Sequence, residues 1–92
     1  MAIQNTLELE AVLTRVLTKL DRQIAERGTW PLLEDARRTM EQVRGASRNG
    51  AKLKEMREKL RSASETIISE VGADGALHDD VWDVEDFVDY HV

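Results

Sequence analysis

Side chains that can ligate metals gather within the last fifteen residues, among them His78, Asp79, Asp80, Asp83, Asp86, Asp89 and His91. Carboxylates suit hard divalent cations and imidazole pairs suit zinc, but each needs a definite spacing. If Gly75 is the glycine of a calcium loop, Glu70, Gly72, Asp74 and Val81 occupy its first, third, fifth and twelfth positions. The third and twelfth ligands are then missing. An imidazole pair on one helix face requires a spacing of three or four, whereas His78 and His91 stand thirteen apart. The cluster reads as a solvated acidic face, and no metal or other cofactor is expected.

Covalent chemistry has as little to work with. Thr14, Thr18, Ser62, Ser64 and Thr66 lie in helical segments, remote in sequence from either histidine that could activate a hydroxyl. His78 falls in an expected turn and His91 near the end of the sequence, so neither is placed for phosphotransfer. The chain has no cysteine, which excludes disulfides, thiolate metal sites and thiol nucleophiles. Gly45 and Gly50 lead into Ala51, Lys52 and Leu53, without the Lys-Ser/Thr pair of a phosphate loop. The chain is not expected to be an enzyme.

Two constellations remain. Between residues 37 and 61, Arg37, Arg38, Arg44, Arg48, Lys52, Lys54, Arg57, Lys59 and Arg61 face only Glu41, Glu55 and Glu58, a balance of nine minus three, or +6. Such a cluster could neutralise phosphates, with Arg37, Arg38, Arg44, Arg48, Lys52 and Lys54 as its candidate contacts. No aromatic residue interleaves them to stack on bases. Beyond residue 71 the chain is the reverse: residues 72–92 hold seven acids and no Lys or Arg, −7, against +2 for residues 1–71, which together give the net −5. One Trp, the only Phe and the only Tyr share this acidic segment. Aromatic anchors among steering charges are the composition of a docking surface, with Val81, Trp82, Asp83, Phe87, Val88 and Tyr90 as candidate contacts. The plainer alternative is that the same residues pack on the chain's own core.

The elements that must position these residues follow from periodicity. Leu9, Val12, Leu13, Val16, Leu17, Leu20 and Ile24 recur every three or four positions, the stripe of an amphipathic helix. Asn5 and Glu8 offer a capping box, and Gly28 a terminus. Pro31 starts a second helix, carrying Leu32, Leu33, Ala36, Met40 and Val43, and Asn49-Gly50 is expected to stop it because both residues tolerate positive φ. Leu53, Met56, Leu60, Ala63, Ile67 and Val71 form a nearly clean heptad seam closed by Gly72. After a turn at Ala73, Asp74 and Gly75, the residues Leu77, Val81, Val84 and Val88 again favour a helix. A competing period of two in Trp82, Val84, Val88, Tyr90 and Val92 also fits an extended segment that orders on binding.

The expected fold is all-α: a three-helix antiparallel bundle over residues 1–71, with helices at about 6–27, 31–47 and 51–71, and a short acidic fourth helix or docked tail over 72–92. With 41% hydrophobic and only 4% aromatic residues in 92, one domain is expected and a sandwich is not. Neither a targeting segment nor a membrane span is evident, so a cytoplasmic location is expected. Leu17, Ile24 and Ile68 broaden their stripes enough to raise a homodimer. The expected role is an adaptor, regulator or inhibitor that binds another protein, one with a basic or apolar groove, through the acidic aromatic segment. The alternative is a nucleic-acid-binding regulator using the 37–61 surface, with the acidic segment as an electrostatic latch over it.

Overall fold

The chain enters its first helix through a side-chain cap. Asn5 adopts extended backbone angles and accepts the Glu8 amide on its side-chain oxygen at 2.9 Å. Glu8 reaches back to the Gln4 amide at 2.7 Å, one residue before the cap amide that a capping box would satisfy. The structure is a computed structural model describing residues 3–28, 30–72 and 75–91. Met1, Ala2, Thr29, Ala73, Asp74 and Val92, on which some of the expectations above rest, lie outside those residues.

Helix α1 (Thr6–Arg27) ends at Gly28, whose φ of 86° is a value that only glycine takes without strain. Helix α2 (Pro31–Gly45) begins on Pro31, as its fixed φ favours. It stops two residues earlier than expected and leaves a turn in which the Asn49 amide bonds the Ala46 carbonyl at 2.9 Å. Asn49 and Gly50 do not form the positive-φ stop that their sequence allows. Asn49 instead caps the next helix, accepting the Lys52 amide at 3.1 Å.

The expected helix over 51–71 is two helices. A short α3 (Gly50–Glu55) and a longer α4 (Arg57–Val71) meet at Met56, where φ −89° and ψ 0° leave the helical range. Its amide is shared between the Lys52 and Leu53 carbonyls at 3.1 and 3.2 Å. That is a tightened turn rather than a chain reversal, since Leu60 still bonds the Met56 carbonyl at 2.8 Å. No glycine or proline marks it, and buried Met56 sits on the apolar seam, so the period runs through the junction unbroken.

Helix α5 (Gly75–His91) spans 17 residues and is neither short nor extended. It packs against α1 and α4, while α2 packs against the same two helices on the other side, so the four long helices form a ring. Residue pairs give their directions: Asp21 meets Arg37 and Glu10 meets Ser47; Trp30 meets Glu70; Arg57 meets Asp89; Thr6 lines one cleft with Phe87 and His91. Residues early in one helix meet residues late in its neighbour, so adjacent helices are antiparallel, as short connections favour. Leu9, Leu13, Leu20, Leu33, Met40, Leu60 and Ile67 fill the interior, and Leu77, Val81, Val84, Phe87 and Val88 of α5 belong to the same core. The radius of gyration, 12.1 Å, equals the value of about 12 Å for a compact chain of this length.

Two substitutions on α5 test this placement in opposite directions. Phe87→Ala removes a side chain from the core and should cost about 3–5 kcal/mol in urea denaturation. Tyr90→Ala, at an exposed position, should change stability by no more than about 0.5 kcal/mol.

Candidate interaction surface

A residue on α5 is turned about 100° from the one before it, so the element sorts its own side chains. Val81 and Val88 are fully enclosed and Phe87 is only 6% exposed. These three of the six expected contacts belong to the core because they share a helix face with Leu77 and Val84. Val81 and Val88 therefore present no surface in this fold, and Phe87 shows only an edge, in the wall of a cleft beside α3. Trp82 and Tyr90 point away from that face and are 48% and 81% exposed. Asp83 is part-buried. At spacings of four, Trp82, Asp86 and Tyr90 form an outward line, with exposed Asp79 one turn before it.

Two of the α5 carboxylates anchor the helix. Asp80, buried against α1, accepts two bonds from Arg15, from Nε at 3.3 Å and Nη2 at 3.0 Å. This fork geometry holds the guanidinium charged and keeps a desolvated carboxylate paired. Asp89 lies 3.4 Å from Arg57 and 3.9 Å from Arg61 on α4. Arg57 also donates to the carbonyls of Val88 and Asp89 at 3.5 and 3.3 Å, covering acceptors that the helix end leaves free.

Between α4 and α5 runs a groove of about 380 Å³, with Ile68 and Trp82 in its wall and Glu65, Glu85 and Asp86 among its polar residues. Burial raises the Glu85 carboxyl above the ordinary glutamate range, and Asp89, Glu65 and Asp86 push it the same way against the opposing pull of Arg61. The indole of Trp82 donates from Nε1 to Nε2 of His78 at 2.9 Å, with the two ring centres 6.0 Å apart. Glu65 was not singled out in the sequence, and Ile68 only as a residue that could join two copies. Their signal was their position in the α4 heptads, flanking the seam on the side to which an antiparallel neighbour would dock.

The basic stretch is divided by the fold. Arg37 pairs with Asp21 and Glu41, and Arg38 with Asp35. Arg48 shares Glu10 with the buried Ser47 hydroxyl, whose hydrogen bond holds the Glu10 carboxyl below its usual range. Among the described residues, Arg44, Lys52 and Lys54 form no ion pair. Arg48 and Lys54 line a separate cleft of about 510 Å³ with Thr6, Phe87 and His91.

Of the residues that could extend an interface between two copies, Leu17 is buried, and Ile24 and Ile68 are part-buried against the core. No group of three or more His, Asp or Glu side chains among the described residues is placed to hold a metal ion. Among the same residues, no helix is long and apolar enough to cross a membrane. Comparison of the chain with protein-family models, curated proteins and solved structures finds no match.

The crowding around Glu85 has a measurable pH signature. Its folded-state value lies above the unfolded one, so its contribution to stability is full below the ordinary glutamate range and is lost as pH rises through the raised value. Glu85→Gln removes that loss. The variant should melt above the parent near neutral pH, and the difference should vanish in thermal scans taken below the glutamate range.

Proposed function

We infer that this chain is a small non-enzymatic interaction module, an adaptor, regulator or inhibitor, in which α1–α4 form the supporting bundle and α5 presents the binding face to another protein. The observation that carries the reading is Trp82. A half-exposed indole beside Glu85 and Asp86 offers large contact area at little rotamer cost, ringed by charges that orient an approaching partner. Tyr90 adds a second amphipathic ring on the same outward line. The partner is one whose contacting surface is basic, with an apolar centre to receive the indole.

A second reading rests on Arg44, Lys52 and Lys54, cations of the basic stretch that form no ion pair among the described residues. They would bind phosphates as point charges, without base readout. Against it stands the pairing of Arg37, Arg38 and Arg48 within the chain.

Capture from native lysate with tagged full-length protein separates the two. A discrete protein partner should survive nuclease treatment and should weaken by about 2 kcal/mol or more, roughly thirtyfold, with Trp82→Ala and Tyr90→Ala combined. Arg44→Ala with Lys54→Ala should leave it in place. Loss on nuclease treatment, with dependence on Arg44 and Lys54 alone, would establish the second reading instead.

A further inference from the structure

The two tryptophans of this chain sit in contrasting surroundings. Trp30 is provided for within the molecule: the Arg27 guanidinium carbon lies 4.3 Å from its ring centre, and its Nε1 donates to Glu70 at 3.1 Å. An arginine on the ring and a carboxylate at its edge thus tie the ends of α1, α2 and α4 together. Trp82 gives its Nε1–H to His78 and borders carboxylates, with no guanidinium on its ring. Glu85 and Asp86 share its groove with Glu65 from the facing helix, yet among the described residues no Arg or Lys lies over its ring. Arg61 also lines the groove and acts on Glu85, but its closest carboxylate is Asp89, about two turns along α5 from Trp82.

We propose that the α4/α5 groove is the seat for an arginine-bearing segment of a partner protein, the guanidinium stacking on Trp82 and pairing with Glu85 and Asp86 while a neighbouring apolar side chain lies against Ile68. This rests on the reading of α5 as the interaction element and specifies what it recognises. Three features select arginine. Its planar guanidinium stacks on an indole while its edge still bonds carboxylates, which a lysine ammonium cannot do in one placement. The groove's cluster of like charges is relieved by an incoming cation, and Glu85 is desolvated enough for the pair to be screened less than a surface pair. Ile68, partly buried at the groove wall, offers apolar area that a segment carrying only charge would not use.

The test uses the full-length protein and a blocked pentapeptide with arginine between two leucines. Its control carries citrulline, the neutral near-isostere of arginine, at the same position. Proton–nitrogen NMR resolves the two indole Nε1–H signals. The arginine peptide should move the Trp82 signal and leave that of Trp30 in place, with the citrulline peptide at least about tenfold weaker. Glu85→Gln with Asp86→Asn should weaken the arginine peptide by a similar factor, and raising the salt should do the same. Equal binding of the citrulline peptide overturns the proposal, as does full affinity in the double variant or an unmoved Trp82 signal at about 5 mM peptide. Failure of the two readings is distinguishable. A captured protein lost on Trp82→Ala with Tyr90→Ala but retained by Glu85→Gln with Asp86→Asn keeps α5 as the interaction element and refutes the arginine seat. An arginine peptide that binds as described, in a protein that captures no Trp82-dependent partner, leaves the seat standing and removes the wider role.

Discussion

Everything on the surface of this molecule depends on where α5 spends its apolar residues. A chain of 92 residues buries only about 60% of its unfolded surface, so a small bundle needs each apolar side chain it can enclose. Leu77, Val81, Val84, Phe87 and Val88 meet that need by closing the ring between α1 and α4. Once those five turn inward, the 100° step of the helix dictates the rest. Trp82, Asp86 and Tyr90 have to face out, and Glu85 and Asp89 have to border α4. The proposed interaction face is thus a remainder of core packing, placed by it as firmly as the core itself.

Charge follows the same partition. Of the α5 acids, Asp80 and Asp89 are drawn to Arg15, Arg57 and Arg61, and they fix the helix at two points along its length. Partly solvated pairs of this kind contribute up to about 1 kcal/mol each, so they orient the helix more than they hold it, and the apolar face supplies the adhesion. The latch expected from the sequence, acidic segment over basic stretch, therefore has a limited physical counterpart. Among the described residues, Arg57 and Arg61 of that stretch pair with an α5 carboxylate, and both sit on α4, the helix α5 must pack against in any case. Asp79 and Asp86 keep the outward side of α5 negative, while Arg44, Lys52 and Lys54 leave a positive surface elsewhere.

The helices were legible because their signals are local. Asn5, Gly28, Pro31 and Gly72 each mark a boundary through their own backbone chemistry. Asn49 misled because it serves equally as a stop and as a start; its side chain had an amide to accept only once Lys52 was helical. The break at Met56 left no trace, since it costs one shared hydrogen bond and keeps the heptad phase. For the proposed site, composition singled out α5 without telling its buried residues from its exposed ones. Phe87 and Trp82 look alike as aromatic anchors, and only the phase of the core stripe separates them. Leu77, Val81, Val84 and Val88 define that phase, which places Phe87 beside it and Trp82 well off it. The contribution of Glu65 and Ile68 required knowing that α4 is the neighbour, and this is tertiary information that no residue of α5 encodes.

The dimensions of the face limit what kind of binding it can support. From Asp79 to Tyr90 the outward line of α5 is about 16 Å long at 1.5 Å per residue, and one helix face of that length falls short of the roughly 800 Å² per partner of a standard stable interface. Affinity must then come from a few concentrated contacts. An indole in a groove lined with carboxylates is such a contact, because part of its charge is already desolvated before a partner arrives, whereas Leu7 and Leu32, exposed to a similar degree, offer area without direction. A binding face of this size and polarity exchanges quickly and weakens with salt. Those properties accord with the proposed role of a transient regulator and not with that of a permanent subunit.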